Sequence, residues 1–203
     1  SDNNHSLPFL NKADILEAQN INLATSRAIK NKCGEGFKGI LYGGFMATKD
    51  GVKLIEYNAR FGDPEAMNVL SLLESDFIEI CLAVAEGTLG DIDVSFQNKA
   101  TVCKYAVPEG YPDQPIKGQP IDVSNIEKAD ALFFASVDYK DGVLIETGSR
   151  TVAVVGLANS ISEAEIIAET EMSSVIGPLF HRSDIGKKDI IQKKIEHMKS
   201  LRC

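Results

Sequence analysis

The chain has 203 residues, 44% of them hydrophobic and 25% charged, which allows a packed core and is an ordinary globular composition. Its formal net charge of −8 argues against a large basic surface, so we expect no nucleic-acid partner. The sequence shows no apolar run of membrane-spanning length and no recognisable signal peptide, so we expect no membrane association.

The first part of the chain predicts one long helix followed by a β-hairpin. Apolar residues at helical spacing indicate a helix from Asp14, as its cap, to about Lys32. Strands are predicted at 39–48 and 52–58. The turn between them, at 49–51, contains an Asp-Gly pair, which is typical of tight hairpin turns.

Two shorter helices are predicted after the hairpin. Asp63 fits the N-cap position and Pro64 the first helical position of a helix that runs to about Leu73. A second helix begins at 75–76 and ends at 86–87, where a glycine follows the last apolar residues.

Beyond Gly90 the pattern becomes mostly that of strands. Runs rich in Val, Ala and Phe predict strands at 99–108, 131–139, 143–147 and 150–157. Helices are predicted from Ser160 to about Ile176 and from Asp189 to Arg202. The change near residue 95 predicts an α+β fold in two parts, 1–94 and a small, mostly antiparallel sheet-plus-helix domain at 95–203.

The second strand of the hairpin carries a candidate metal site. Residues two apart on a strand share a face, so Glu56 and Asn58 project together. A carboxylate and an amide carbonyl are hard oxygen donors that suit Mg²⁺, whose other ligands are then phosphates and water. Taken alone, a Glu-x-Asn pair is more often a solvated strand face, so the spacing leaves both interpretations open.

Groups suited to a phosphate follow directly. If the strand continues, Arg60 lies on the same face, where a guanidinium would stabilise charge on a transferring phosphoryl group. The helix predicted after Asp63 would offer free amides and a positive dipole end to an anion. The same residues are also typical of an ordinary helix start, and that alternative stays open on spacing alone.

A resemblance that covers nearly the whole chain bears on these alternatives. It rests above all on residues 56–65 (EYNARFGDPE), with further matches in family order at 1–10, 38–43, 110–112, 117–118, 148–150 and 182–186. The chain resembles the C-terminal half of archaeal-type glycinamide ribonucleotide synthetases (phosphoribosylamine–glycine ligases). The resemblance implies that 1–94 is the C-terminal part of an ATP-grasp catalytic domain and 95–203 the C-terminal α+β domain.

The resemblance also implies an activity. Enzymes of this family join glycine to 5-phosphoribosylamine, using ATP as co-substrate and Mg²⁺ (or Mn²⁺) as cofactor. They pass through glycyl phosphate and release glycinamide ribonucleotide, ADP and phosphate in purine synthesis. The family's N-terminal half has no counterpart in these 203 residues. We therefore expect it to be the missing partner, and we expect this chain alone to be inactive.

The residue roles implied by the resemblance fall on five positions of the motif and two later ones. Glu56 and Asn58 would bind the metal, and Arg60 would contact the γ-phosphate or acyl phosphate. Asp63 and Glu65 would help to hold the amine substrates. Gly148 and Arg150 either form a plain turn or approach the ribose phosphate. Relatives often have a glutamine where Gly44 stands, which bears on whether a second metal ion binds.

Two competing functions remain open from the sequence. The first is another ATP-grasp carboxylate–amine ligase with a different substrate, which the later matches disfavour. The second is a non-catalytic module that binds a partner chain. The chain begins at Ser1 without a methionine, so we expect a fragment or a processed chain.

The cysteines indicate a compartment. The four, Cys33, Cys81, Cys103 and Cys203, show no paired spacing, which favours reduced thiols in a cytoplasmic protein.

Overall fold

The computed structural model describes residues 1–128 and 131–202. The chain divides into two compact units, which are described separately. Unit 1 contains Ser1–His5 and Asn98–Ile190, and unit 2 contains Ser6–Gln97 and the residues from Ile191 on. Helices and antiparallel strands both occur, so the predicted α+β class is confirmed. The predicted domain boundary at 94/95 concerns the family's domains and stays a prediction.

Unit 2 is built from helices around one hairpin. Its elements are α1 (Lys12–Cys33), β1 (Tyr42–Thr48), β2 (Gly51–Asn58), α2 (Glu65–Leu70), α3 (Phe77–Glu86), a 3₁₀ turn (Leu89–Asp91) and most of α5 (Lys188–Leu201). Across the described residues, none of the helices combines the length and the apolar composition that crossing a membrane requires.

Helix α1 begins with a capping box. The Asn11 side chain accepts from the Asp14 amide at 2.9 Å, and the Asp14 carboxylate accepts from the Asn11 amide at 2.8 Å. The prediction that Asp14 is the cap is therefore wrong by three residues. The reciprocal pair satisfies two backbone donors at once, so Asn11 is the N-cap and the helix begins at Lys12.

Helix α1 is held on the hairpin by polar contacts. Glu17 accepts a hydrogen bond from the Val52 amide at 2.9 Å. The Tyr57 hydroxyl contacts Asn22 Oδ1 at 2.8 Å and Thr25 Oγ1 at 3.2 Å. Tyr57 therefore points from β2 toward α1, and its sequence neighbours on β2 point to the opposite face.

The hairpin contains a register shift. Phe45 pairs with Leu54, but Gly44 pairs with Glu56, so Ile55 is an extra residue in β2. Such a bulge changes which residues face each other across the remaining strands. Beyond it, the pairs are Gly44 with Glu56, Gly43 with Tyr57, and Tyr42 with Asn58.

Helix α2 starts later than predicted. It begins at Glu65, and Pro64 occupies the cap position with a non-helical backbone (φ −94, ψ 3). A proline side chain has no acceptor, so it makes no cap hydrogen bond. The Ala66 amide donates to Gly62 O at 2.9 Å and the Met67 amide to Pro64 O at 3.0 Å. The expected cap at Asp63 is therefore wrong, and two amides of the first turn, where free amides were expected, are already bonded. Helix α3 begins as predicted, because Asp76 accepts from two amides of its first turn.

Unit 1 is a sheet covered by one helix, with a small hairpin beside it. Its elements are β3 (Ala100–Pro108), β4 (Leu132–Phe134), β5 (Val137–Lys140), β6 (Val143–Glu146), β7 (Val152–Ala158), α4 (Ile161–Ser173) and β8 (Leu179–His181). The antiparallel sheet has the order β4-β7-β3-β8, and β5 pairs with β6.

The single strand predicted at 131–139 is two strands. Strand β4 pairs with β7, but β5 leaves that sheet and pairs with β6. Between them, the Ala135 and Ser136 amides donate to Thr151 O and Arg150 O, so the chain changes partner there. Strand β8 was not predicted, because three residues are too few to give a period.

The core of unit 1 lies between the sheet and α4. One cluster contains Ala106, Ile121, Ile126, Val152, Val154 and Met172, and a second contains Val102, Ala164 and Ala168. The small alanines let the helix approach the sheet closely. A Cβ at Gly156 on β7 would lie only 1.9 Å from Ala164 O, so only glycine fits at that point.

A buried lysine adds charge to this face of the sheet. The Lys104 side chain is fully buried on β3 and pairs with Glu165 at 2.8 Å and with Glu169. Its ammonium also donates to Ser183 O at 3.1 Å. Burial alone would raise the pKa of Glu169, but hydrogen bonds from Lys104 and His181 lower it overall. The network satisfies the buried charge and ties α4 to the segment after β8.

The Gly156 contact gives a stability prediction. Gly156→Ala should lower the free energy of unfolding by about 3 kcal/mol or more, because the methyl group overlaps backbone that cannot move aside. Gly36→Ala is the matched control, since a Cβ there meets nothing within 4 Å, and we expect a change within about 0.5 kcal/mol. Urea unfolding followed by circular dichroism tests both; equal midpoints would contradict the close approach of α4 to β7.

Candidate active site

The end of β2 brings the two predicted metal ligands together. The Asn58 side-chain nitrogen donates to Glu56 Oε1 at 3.0 Å, so both side chains lie on one face of the strand. Tyr57 between them faces α1. The same-face prediction is confirmed, and the two groups are close enough to contact one ion.

A tyrosine from the neighbouring strand completes this face. Tyr42 pairs with Asn58 across the hairpin, and its hydroxyl donates to Glu65 Oε1 at 2.9 Å. Glu65 is the first residue of α2. The hairpin thus connects the two predicted metal ligands to a carboxylate of the following helix.

The surroundings of Tyr42 change its acidity. Burial, the hydrogen bond to Glu65, and the negative charges of Glu65 and Glu56 raise the pKa of Tyr42 to about 12. Each of these effects disfavours the phenolate. Tyr42 is therefore a hydrogen-bond donor throughout the neutral pH range.

Arg60 and Asp63 are exposed and lie outside regular structure. Strand β2 ends at Asn58, so the expectation that Arg60 continues its alternation is wrong. The guanidinium instead folds back, and its Nη1 donates to Phe61 O at 2.7 Å. The predicted roles of both residues stay predictions.

The donor chemistry at Glu56 and Asn58 fits a divalent metal with few protein ligands. Turning the Asn58 amide over would present its carbonyl oxygen beside the Glu56 carboxylate, giving two hard oxygen donors. In residues 1–128 and 131–202, no group of three or more His, Cys, Asp or Glu side chains is arranged to hold a metal ion. Glu56 and Asn58 are the two oxygen donors that this chain brings together at the end of β2.

In unit 1, the other two predicted residues lie in a loop fixed by a buried carboxylate. Glu146 is fully buried at the end of β6; its Oε1 accepts from the Gln119 amide at 3.0 Å, and its Oε2 accepts from the Gly148 amide at 2.8 Å. Gly148 has φ +94, and a Cβ there would lie 2.6 Å from Lys117 Cε. The structure thus brings together two segments, 117–118 and 148–150, that are thirty residues apart in sequence.

Arg150 lies at the end of this loop, and its side chain is half-buried. Its guanidinium carbon lies 5.7 Å from the centre of the Tyr105 ring, a cation–π distance. Its carbonyl accepts from the Ser136 amide at 2.8 Å, so backbone and side chain are both held. Lys117 and Arg150 give this surface two positive charges.

Sequence reasoning missed Tyr42, Lys117 and Glu146. Tyr42 follows the pattern of an ordinary strand residue, and only the register shift places it opposite Asn58. Glu146 ends a predicted strand, where a solvated carboxylate is the usual expectation. The pair of short motifs at 117–118 and 148–150 is a signal in the sequence that points to Lys117, because the two motifs lie together in the structure.

Comparisons with known proteins identify relatives of both parts of the chain. The profile of the phosphoribosylglycinamide synthetase ATP-grasp (A) domain matches residues 5–66, and that of the phosphoribosylglycinamide synthetase C domain matches 101–188. A phosphoribosylamine–glycine ligase of Methanocaldococcus jannaschii is 56% identical over 98% of this chain. One from Methanocella arvoryzae is 48% identical over the whole chain.

A solved structure is also similar. The crystal structure of phosphoribosylamine–glycine ligase from Thermotoga maritima gives a TM-score of 0.66 at 30% identity, covering 76% of this chain and 38% of that one. The chain spans 45% of the length of the Methanocaldococcus relative and 46% of the Methanocella relative. It therefore corresponds to somewhat less than half of these ligases.

The fold, the Glu56–Asn58 pair and the domain match define the N-terminal part of the chain as belonging to an ATP-grasp domain. The C-domain match extends the assignment through most of unit 1. The chain belongs to the phosphoribosylglycinamide synthetase family.

The hydrogen bond between Tyr42 and Glu65 predicts that stability depends on pH in the alkaline range. Because the folded pKa of Tyr42 lies above its usual value of 10.0, the extra stability is complete below pH 10 and is lost as the pH rises toward about 12. Glu65→Gln should move the pKa of Tyr42 downward, since it removes one negative charge. An NMR titration of ¹³C-labelled tyrosine measures this value directly. Tyr57→Phe is the control and should leave it unchanged; a wild-type value of 10 would contradict the pairing.

Proposed function

We propose that this chain forms part of an ATP-dependent ligase that joins glycine to 5-phosphoribosylamine, giving glycinamide ribonucleotide, ADP and phosphate through glycyl phosphate. The observation that carries the proposal is the grouping of Glu56, Asn58, Tyr42 and Glu65 at the end of β2, within the motif at 56–65. Relatives named phosphoribosylamine–glycine ligase, at 48% to 56% identity, support it.

The metal end of the site is assigned to Glu56 and Asn58. Mg²⁺ (or Mn²⁺), when bound, neutralises and orients the phosphate oxygens of ATP. Glu56 supplies one negative charge and Asn58 a neutral oxygen, so the pair leaves most of the cation's charge for the nucleotide. Two protein ligands are too few to retain an ion firmly, which favours binding of metal and nucleotide together.

Arg60 is assigned to the transferring phosphoryl group. Its guanidinium is exposed and donates to the carbonyl of Phe61, so a rotation of the side chain frees it. A guanidinium can then bind two oxygens of the γ-phosphate or of the acyl phosphate. Its contribution is charge stabilisation, since acyl-phosphate formation needs no covalent group from the protein.

Asp63 and Glu65 are assigned to the amine substrates. The amino group of glycine is a cation at neutral pH, and a carboxylate is its natural partner. Glu65 is the better placed of the two, because the hydrogen bond from Tyr42 fixes one of its oxygens. Asp63 is exposed beside it in sequence.

Gly148 and Arg150 are assigned to the ribose phosphate of 5-phosphoribosylamine. The turn at Gly148 is held by the buried Glu146, and Lys117 lies against it. A phosphate dianion fits a surface that carries Lys117 and Arg150 on a rigid backbone. The alternative of a plain turn predicts that neither charge affects substrate binding.

The remainder of the ligase is the proposed partner of this chain. On α3, Ile78 is 70% exposed and Leu82 is 57% exposed, although they lie on a strongly apolar helix. Exposed apolar helix faces of this kind are typical of surfaces that another part of the protein covers. A cytoplasmic location is part of the same proposal. Cys33, Cys81 and Cys103 form no disulfide bond with one another, and Cys203 lies outside the described residues.

The metal assignment predicts a loss of activity. In the complete ligase that contains this chain, Glu56→Ala should lower kcat by about 10²–10³-fold, because charge stabilisation of the phosphates is lost. Glu35→Ala, at an exposed glutamate just after α1, is the matched control and should leave kcat unchanged. Glycine-dependent ADP release measured against Mg²⁺ concentration tests this. Wild-type turnover in Glu56→Ala would refute the assignment.

The phosphate assignment predicts a different kinetic effect. Arg150→Ala should raise KM for 5-phosphoribosylamine by about 10–100-fold, the size expected for one charged hydrogen bond. The KM values for ATP and glycine should stay unchanged, as should all three in the control Arg27→Ala on α1. Steady-state assays with each substrate varied in turn make the distinction. An equal change in all three KM values would indicate a general structural effect instead.

A further inference from the structure

Tyr42 and Glu65 are joined by a directed hydrogen bond and not only by packing. The phenol donates to Oε1 at 2.9 Å, and an ionised carboxylate can only be the acceptor of such a bond. A carboxylate fixed through one oxygen directs the other in a defined direction.

Gly62 lies against the other oxygen of the same carboxylate. A Cβ at Gly62 would lie 2.5 Å from Glu65 Oε2 and 3.2 Å from Tyr42 Cδ1. Any other residue at Gly62 would therefore push Oε2 away from its present position. Tyr42 binds one oxygen of Glu65, and the absence of a side chain at Gly62 leaves space for the other.

The register of the hairpin connects this carboxylate to the metal ligands. Tyr42 lies opposite Asn58 in the β1–β2 ladder, and Asn58 contacts Glu56. Tyr42 therefore fixes Glu65 relative to the face of β2 that carries the proposed metal site. Reactions of bound substrates depend strongly on such relative placement.

We infer that Tyr42 is a positioning residue that, with Gly62, holds Glu65 so that Oε2 receives the ammonium group of glycine. This inference rests on the proposed function and names the substrate that Glu65 binds. Glycine fits better than 5-phosphoribosylamine, because the latter must keep a free lone pair to attack the acyl phosphate and gains nothing from a carboxylate that binds a cation.

Tyr42→Phe in the complete ligase is the first test. It removes one hydroxyl and should raise KM for glycine about tenfold, the lower range for a hydrogen bond to a charged group, with kcat changed much less. The KM for ATP should not move. Tyr57→Phe is the matched control: its hydroxyl makes two hydrogen bonds on the opposite face of β2, so it removes comparable contacts without touching Glu65.

Gly62→Ala is the second test, and it does not depend on how well Tyr42→Phe folds. The added methyl group meets the end of a flexible side chain, so the fold should be retained while the carboxylate is displaced. We expect the same rise in KM for glycine. Gly90→Ala is its control, since a Cβ at Gly90 meets nothing within 4 Å.

A double-mutant cycle decides whether both act through Glu65. In a Glu65→Gln background, Tyr42→Phe and Gly62→Ala should each have little further effect on KM for glycine. The inference would be overturned if each variant changed KM for glycine equally with and without Glu65. It would also be overturned if neither variant changed this KM when Glu65 is present and the ligase is active. Both results would leave the proposed function standing. A complete wild-type ligase without glycine-dependent ADP release would overturn both.

Discussion

The register of the β1–β2 hairpin is the constraint on which the candidate site depends. Because Ile55 is an extra residue in β2, Tyr42 lies opposite Asn58, and Gly44 lies opposite Glu56. Without the bulge, every pair beyond it would shift by one residue, and a shift of one moves a side chain to the other face. The Glu56–Asn58 pair and the tyrosine that binds α2 would then be on different sides of the hairpin.

In unit 1, buried charged side chains hold separate chain segments together. The carboxylate of Glu146 accepts hydrogen bonds from backbone amides of two segments, and the ammonium of Lys104 binds two carboxylates and a carbonyl. A buried charge is costly unless its partners are in place, so each network fixes the chain segments that supply those partners. In this way the packing of unit 1 holds the loop that presents Gly148 and Arg150.

The site at the end of β2 combines rigid and adjustable parts. Tyr42 and Glu65 are held by a hydrogen bond between two elements, whereas Glu56 and Arg60 are exposed. Under the proposed function, the fixed pair would recognise the small amine substrate, and the exposed groups would contact the phosphates and their metal. This difference between the two sets follows from where each residue lies in the hairpin and the helix after it.

The sequence by itself determined the local features of this protein: the helix start at 75–76, the α+β class, and the shared face of Glu56 and Asn58. Helix starts and strand alternation depend on nearby residues only. The family resemblance likewise came from contiguous motifs. Only the tertiary structure decided that Tyr42 reaches Glu65 and that Gly148 lies against Lys117. Such contacts depend on a bulge, a partner change between strands and a buried carboxylate, and none of these has a periodic signal in the sequence.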